Sequence, residues 1–228
     1  MKLVWSPETA SKAFIDTIKS CDNFKEFGVP ELLSAMAAGW NAKLIVHACA
    51  AASSAVSTVG LAVAARHTGG RYVCAVADER SKSGYVKALQ EAGVSPPTEI
   101  VVGEAKAAMA AVAGVDFLVV DCKRRDFARV LRFVKVRDEG AILVCKNTWS
   151  RKFEKLDYCG LLPKRTRVVR SVSLPVGQGL SIIHVGSSNG GGGGSISTSS
   201  PSRWMKHIDE RSGEEHVYRE RTGTGFLK

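Results

Sequence analysis

From Lys43 onward, short and nearly uninterrupted apolar segments alternate with stretches of helical pattern, and this alternation constrains the fold more than any other feature. Five apolar segments predict strands, at residues 43–49, 71–77, 98–102, 115–121 and 140–146. The stretches between them predict helices at residues 54–67, 82–92, 105–112 and 125–134. Strands made almost entirely of Val, Ile, Leu and Ala are covered on both faces, as in a parallel sheet. The sequence therefore predicts an α/β domain with helices on both faces of the sheet.

Two helices are predicted before the first strand. The first begins at the Ser-Pro-Glu sequence of residues 6–8, with the serine as N-cap and proline at the first helical position, and runs to about residue 20. Its apolar residues recur every four positions, at Ala10, Phe14 and Ile18. A second amphipathic stretch spans residues 30–40. Both helices are expected to turn an apolar side toward the domain.

The last two predicted strands, at residues 167–174 and 180–186, are joined by only five residues. Five residues cannot make a parallel crossover, so these strands must form an antiparallel hairpin. Five parallel strands followed by an antiparallel pair are typical of the seven-stranded, Rossmann-like sheet of class I methyltransferases. A nicotinamide-type oxidoreductase is not indicated, because the "HACAAAS" segment after the first strand lacks the Gly-x-Gly-x-x-Gly turn.

The chain is predicted to have three parts. Residues 1–186 form the methyltransferase-like domain, and residues 187–202 are a Gly/Ser linker expected to be a flexible coil. Residues 203–228 alternate apolar and polar side chains around Arg211-Ser212-Gly213, which predicts a small hairpin that docks on the domain or on a partner.

Composition limits the compartment and the cysteine chemistry. No apolar run reaches the ~18 residues of a membrane span, and no signal-peptide core is present, so we expect a protein of the cytoplasm or nucleus. The cysteines form no C-x-x-C pair and are expected to be small buried hydrophobes rather than zinc ligands or disulfides. They are Cys21, Cys49, Cys74, Cys122, Cys145 and Cys159.

The net charge of +10 is concentrated in one region, since residues 123–170 contain fifteen Lys or Arg and five Asp or Glu. This imbalance predicts a basic face, which is either ordinary solvated surface or a site for an acidic protein or nucleic acid.

In an open α/β sheet, ligands bind beyond the carboxyl ends of the strands near the switch in strand order. Four segments are therefore candidates for a binding site. They are residues 47–54, 76–79, 121–123 and 146–149.

The serial order of these segments carries a family resemblance. The segments "AKLIVHACAAASS", "GRYVCAVADE", "VVGEA", "VDFLVVDCKRRDF" and "GAILVCKNTW" resemble the cation-dependent O-methyltransferases of the catechol and caffeoyl-coenzyme A type, over about residues 6–186. The chain is also similar to an uncharacterised plant family that is described as methyltransferase-like and ends in a similar "SGEEH" tail. The resemblance implies S-adenosylmethionine as the cofactor.

In that family the first loop carries an acid and two glycines, and the matching residues here are His47, Cys49 and Ser53. The loop is rich in alanine instead of glycine, which disfavours the close approach of its backbone to the cofactor. His47 is either a ligand contact or a hydrogen-bonded histidine at a strand end.

The resemblance also implies acids at the ends of the second and third strands. The family's ribose-binding acid aligns with Val76, and Asp78 two residues later either takes that role or caps the following helix. Glu104 matches an acidic position near the adenine, or is an acid favoured by its helix dipole.

The metal site of the family consists of an aspartate after the fourth strand and an Asp-Asn pair after the fifth. Asp121 and Asn147 match, and Asp121 is also a candidate cofactor contact, but Lys146 stands where the second aspartate is expected. A lysine ammonium next to a bound cation is strongly unfavourable by Coulomb repulsion. We predict that no metal binds and that the Lys146 ammonium pairs with Asp121 in its place. The alternative role for Lys146 is that of a catalytic base.

These features predict a methyltransferase-like protein that depends on S-adenosylmethionine, needs no metal and has weak or absent catalysis. The alternative is a non-enzymatic binding or regulatory protein that uses residues 123–170 and the C-terminal tail for an acidic partner. No motif indicates a methyl acceptor, a nucleophile elbow or a phosphate loop.

Overall fold

A computed structural model describes residues 5–21, 28–49, 55–91, 99–121, 124–149, 158–187, 204–208 and 215–219. The chain divides into two compact units, residues 1–190 and 191–228. The helices described in the first unit are α1 (Pro7–Ser20), α2 (Val29–Gly39), α3 (Ala55–Thr68), α4 (Glu79–Glu91), α5 (Ala105–Ala111), α6 (Arg124–Phe133) and α7 (Tyr158–Leu161). Its strands are β1 (Leu44–Cys49), β2 (Arg71–Val76), β3 (Glu99–Val102), β4 (Ala113–Val115), β5 (Phe117–Asp121), β6 (Lys135–Val136), β7 (Ala141–Lys146), β8 (Thr166–Leu174) and β9 (Leu180–Ser187).

Seven of these strands form one sheet, in the order β3-β2-β1-β5-β7-β9-β8. The pairs among β3, β2, β1, β5 and β7 are parallel, whereas β9 pairs antiparallel with both β7 and β8. The predicted antiparallel hairpin and the mostly parallel seven-stranded sheet are therefore confirmed. The order reverses beside β1, because β2 and β5 lie on its two sides, and this reversal makes the switch point at which ligands bind in such sheets.

Alternate residues of the central strands are buried in two different clusters, one on each face of the sheet. In β1, Leu44, Val46 and Ala48 belong to a cluster with Phe127 of α6. Ile45 belongs to the other cluster, together with Leu33 of α2 and Leu61 of α3. Coverage on both faces is the reason that these strands are continuously apolar.

Helix α1 begins as predicted, with Ser6 as N-cap accepting a hydrogen bond from the Thr9 amide. Its buried residues are Ala10, Ala13 and Thr17. The expectation that Phe14 and Ile18 face the domain is wrong, since their exposed fractions are 40% and 45%. Small side chains let α1 approach its neighbours α2 and α3 closely, and the larger apolar residues are left on the outer side.

Two small elements are absent from the sequence prediction: the parallel pair β4–β6 and the single-turn helix α7. Helix α4 also begins at Glu79 rather than Lys82, because the Asp78 carboxylate accepts the Ser81 amide proton at 2.7 Å and caps the helix.

The second unit contains the antiparallel strands β10 (Trp204–Ile208) and β11 (Glu215–Arg219), paired in register from Trp204 with Arg219 to Ile208 with Glu215. These strands lie within residues 203–228, and the hairpin tail with those bounds stays a prediction. The predicted turn at residues 211–213, and the predicted linker apart from Ser187, lie outside the described residues. None of the described helices has the length and hydropathy needed to span a membrane.

Candidate functional site at the carboxyl edge of the sheet

The carboxyl ends of the parallel strands meet at one edge of the sheet, as the strand registers require. Cys49 pairs with Asp121 across β1 and β5, and Val120 pairs with Cys145 across β5 and β7. Lys146 at the end of β7 pairs with Leu180 at the start of β9, so the β8–β9 turn reaches the same edge. The described residues of three predicted segments, 47–54, 121–123 and 146–149, therefore lie together at this edge. The fourth segment, at the end of β2, lies next to them.

At the centre of this edge lies a buried ion pair. Lys146 Nζ is 3.0 Å from Asp121 Oδ2, and the side chains are 4% and 9% exposed. Lys146 Nζ also donates to the Ser57 hydroxyl on α3 at 2.6 Å. Asn147 Nδ2 donates to the other carboxylate oxygen, Asp121 Oδ1, at 3.0 Å. The predicted pairing of Lys146 with Asp121 is confirmed.

The segment after β7 is fixed by the β8–β9 turn. Asn147 has a φ of 59°, a left-handed conformation that asparagine tolerates better than most residues. The amides of Thr148 and Trp149 then donate to the carbonyls of Gly179 and Gln178. A Cβ at Gly179 would lie 2.8 Å from both Thr148 and Trp149, so glycine is needed for this close approach. The turn thereby holds Asn147 beside Asp121.

The donor set does not fit a divalent cation. Both oxygens of Asp121 accept hydrogen bonds, one from an ammonium and one from an amide nitrogen. Divalent cations such as Mg²⁺ require oxygen ligands and would be repelled by the Lys146 charge at this distance. Among the described residues, no group of three or more His, Cys, Asp or Glu side chains is arranged to hold a metal ion.

His47 lies behind the ion pair in a network of buried hydroxyl groups. Its Nδ1 atom is 3.1 Å from the Tyr72 hydroxyl, which donates to Thr58 Oγ1 at 3.2 Å and lies 3.3 Å from the Tyr85 hydroxyl. Thr58 and Tyr85 are also hydrogen-bonded to each other. All four side chains are fully or almost fully buried. His47 is therefore a hydrogen-bonded histidine of the strand, and a direct contact with a ligand is not supported by its burial.

Burial dominates the protonation of this network. It lowers the pKa of His47 to about 4; the Asp121 carboxylate opposes this shift and the Lys146 ammonium adds to it. Burial also raises the pKa of Tyr72 and Tyr85, so both phenols are neutral at physiological pH. His47 Nε2 is buried and has no hydrogen-bond partner among the residues that the structure describes. The network supplies rigid support and no charge.

Cys49 and Cys74 lie side by side on β1 and β2, with 3.4 Å between their sulfur atoms. They are 4% and 0% exposed, and Cys145 is also fully buried. None of these three is in a disulfide. The expectation that these strand cysteines are small buried hydrophobes is confirmed, and Cys49 has almost no surface to offer to a ligand.

The acids at the ends of β2 and β3 are exposed. Asp78 caps α4 through its carboxylate, as one of its two predicted roles required. Glu104 is the N-cap residue of α5 but makes no side-chain capping hydrogen bond. Both carboxylates thus face solvent beside the same edge, where they suit hydroxyl and amine groups of a ligand. Ser53 and most of the loop after β1 lie outside the described residues.

Sequence reasoning missed Ser57, Thr58, Tyr72 and Tyr85. The only signal available was a polar pair near the start of an Ala-rich helix and a tyrosine within an apolar strand, which are common patterns. The contacts of these four residues depend on how α3 and α4 cross β1 and β2, which only the tertiary structure determines.

The family model described as a protein of unknown function, DUF1442, matches residues 1–220 of the chain. The chain belongs to the DUF1442 family. No curated protein matches this DUF1442 chain in sequence.

Several solved structures are similar to the DUF1442 chain. The methyltransferase PaMTH1 of Podospora anserina, bound to SAH, shares 15% identity over 78% of this chain and 88% of its own, with a TM-score of 0.53. A putative caffeoyl-CoA O-methyltransferase of Staphylococcus aureus shares 14% identity over 76% and 92%, with a TM-score of 0.53. A methyltransferase of Geobacter sulfurreducens shares 17% identity over 78% of this chain and 90% of its own, with a TM-score of 0.50. These similarities confirm the class I methyltransferase fold of the DUF1442 chain.

Proposed function

We propose that this protein is a methyltransferase-like protein that binds S-adenosylmethionine without a metal and has weak or absent methyl-transfer activity. The observation that carries the proposal is the contact of 3.0 Å between Lys146 Nζ and Asp121 Oδ2. This contact supports the proposal because the resemblance implies that the cation of the related O-methyltransferases binds at the position of Lys146.

A bound cation in such a site would acidify a substrate hydroxyl and hold it near the methyl donor. The Lys146 ammonium supplies a positive charge and donates hydrogen bonds to Asp121 and Ser57, but unlike a metal ion it cannot coordinate a substrate oxygen. Catechol-type chemistry would therefore lack the cation that acidifies and positions the substrate hydroxyl. This loss supports weak or absent catalysis on a retained fold.

The described residues fit part of an adenosyl ligand. Asp78 and Glu104 would hold its ribose hydroxyls and its adenine, because both carboxylates are exposed at adjacent strand ends. Ser53 in the loop after β1 is our proposed contact for the methionine end. Asp121 would act indirectly, by fixing Lys146 and Asn147 at the floor of the site. The SAH present in the similar Podospora structure supports this choice of ligand.

Calorimetric titration of the full chain with S-adenosylmethionine and with S-adenosylhomocysteine tests the proposal. We expect a dissociation constant tighter than about 1 mM, unchanged by MgCl₂ or by a chelator. The double variant Asp78→Asn with Glu104→Gln should weaken binding about tenfold or more, because each charged hydrogen bond is worth about 1.5–3 kcal/mol. Glu139→Gln, an exposed acid outside the candidate segments, is the matched control. Absence of binding by the wild type would contradict the proposal.

Metal independence has its own test. In Lys146→Asp, the Asp-Asp-Asn set of the cation-dependent enzymes is rebuilt, so we expect millimolar MgCl₂ to raise its melting temperature and to leave that of the wild type unchanged. A wild-type protein that binds Mg²⁺ in the same titration would refute the assignment of Lys146.

A second candidate function, binding of an acidic partner, is favoured by basic residues on strand β8 and immediately before it. Lys164, Arg165, Arg167 and Arg170 are all exposed, and residues 158–187 contain no Asp or Glu. Retention on an immobilised polyanion should fall in Arg167→Glu with Arg170→Glu and persist in Lys12→Glu with Lys19→Glu, which makes the same charge change on α1. An equal loss of retention in both double variants would indicate that binding depends on net charge alone and would argue against a specific site.

A further inference from the structure

Helix α1 presents an apolar stripe to solvent. Phe14, Ile15 and Ile18 are 40%, 50% and 45% exposed, and they account for three of the seven exposed large hydrophobic side chains in the described part of the chain. With Ser11 they occupy one side of the helix between its buried residues and its charged residues. We call this surface, formed by Ser11, Phe14, Ile15 and Ile18, the α1 face. Clustered exposed apolar side chains of this kind mark interaction surfaces.

A groove of about 410 Å³ lies on the same surface. It is lined by Ala10, Ser11, Phe14 and Ile15 of α1 and by Ala35 of α2. Ala10, Ser11 and Ala35 form the small-residue part of the groove, and the larger Phe14 and Ile15 form its walls. The α1 face therefore carries both a protrusion and a recess, which is what a surface needs in order to pair with itself.

The charges beside the α1 face indicate what kind of partner it accepts. Glu8 and Asp16 balance Lys12 and Lys19 on this helix, although the chain as a whole has a net charge of +10. Two copies of so basic a protein repel each other over most of their surface, and an acidic partner would be drawn to the other, basic regions. An electrically balanced apolar face is where a second copy can approach.

We propose that the α1 face is a two-fold interface between two copies of this chain, with Phe14 of each copy entering the groove of the other. Antiparallel pairing of the two helices about residues 13–14 places Glu8 of each copy opposite Lys19 of the other, because these residues lie equally far from the centre and on the same flank. The pairing thus buries the apolar stripe and joins opposite charges at both ends.

Sedimentation equilibrium of the full chain tests the interface. We expect the wild type to have twice the 24.4 kDa mass of one chain at micromolar concentration. Phe14→Glu with Ile18→Glu should be a monomer. Val169→Glu with Val172→Glu, the matched change on two exposed apolar residues of β8, should remain a dimer. A monomeric wild type, or a dimer that survives in the α1 variant, would overturn the proposal.

Charge reversal gives a second readout that does not alter apolar packing. Glu8→Lys and Lys19→Glu should each weaken dimerisation several-fold, and the double reversal within one chain should restore it, since the pairing of opposite charges is re-formed. Far-ultraviolet circular dichroism confirms that each variant folds. If both single reversals and the double reversal dimerise equally, the antiparallel arrangement is wrong.

Discussion

At the residue scale, Lys146 shows how a charge is accommodated inside this domain. The residue is 3% exposed, and removing an ammonium from water costs several kcal/mol. Asp121 compensates the charge, and the Ser57 hydroxyl accepts a second hydrogen bond from the ammonium. Because these partners come from β5 and α3, the lysine ties three elements together at the candidate site. Loss of either ionic partner would leave an uncompensated buried charge.

His47 leads to a prediction about pH. Its pKa is about 4 in the folded protein and near the ordinary value of 6.5 in the unfolded chain, so the unfolded state binds the proton first as pH falls. The stability contributed by the neutral imidazole is therefore complete above pH 6.5 and is lost between pH 6.5 and about 4. We expect the free energy of unfolding to fall by on the order of 3 kcal/mol over this range on account of this residue.

Urea unfolding of His47→Gln and of the wild type at several pH values measures this contribution. The variant should be less stable at neutral pH and lose less stability on acidification, because glutamine does not titrate. His184→Gln is the control, since burial also lowers the pKa of His184 but its side chain is only partly buried. Parallel pH profiles for His47→Gln and the wild type would show that the imidazole is not the group responsible.

At the element scale, the crossing of α2 and α3 determines how the N-terminal helices cover the sheet. Gly60 of α3 lies against the backbone of Pro30 in α2, and a Cβ at this position would be 2.2 Å from the Pro30 carbonyl oxygen. Backbone atoms cannot move aside as the end of a flexible side chain can. Glycine therefore sets the distance between these two helices.

Gly60→Ala should destabilise the protein by up to about 2 kcal/mol. The overpacking penalty of about 1–3 kcal/mol exceeds the gain of about 1 kcal/mol from alanine's helix propensity. Gly84→Ala in α4 is the matched control, because in the described part of the chain no side chain or neighbouring element lies within 4 Å of its Cβ position. It should stabilise by about 0.5–1 kcal/mol. Chemical denaturation of both variants gives the comparison, and a stabilised Gly60→Ala protein would disprove the close crossing.

Comparison of the helices and strands with the sequence shows which signals were sufficient to predict their positions. Strands β1, β2, β5 and β7 were predicted within two residues because burial on both faces makes a strand continuously apolar. The β4–β6 pair was missed because strands of three and two residues are too short for a periodic pattern. The prediction of which side of α1 faces the domain was wrong. The small residues Ala13 and Thr17 are buried on that side, whereas the larger Phe14 is exposed.

At the scale of the whole molecule, the two units are stabilised in different ways. The first unit has apolar clusters on both faces of a seven-stranded sheet. The second is described only through two paired strands of five residues each, and an isolated hairpin is marginally stable in water. The folding free energy of the chain is therefore expected to come mainly from the first unit.

The sequence by itself determined the succession of strands and helices along the chain and the antiparallel end of the sheet. These follow from local periodicity and from the length of one connection. The contact between Lys146 and Asp121 was predicted from the resemblance to the cation-dependent O-methyltransferases, in which the matching positions belong to a metal site. Tertiary structure alone decided that His47 is sealed among Tyr72, Thr58 and Tyr85, and that Phe14 faces solvent. Such outcomes depend on how closely neighbouring helices approach, which is set by side-chain volumes on several elements at once and leaves no periodic pattern in any one of them.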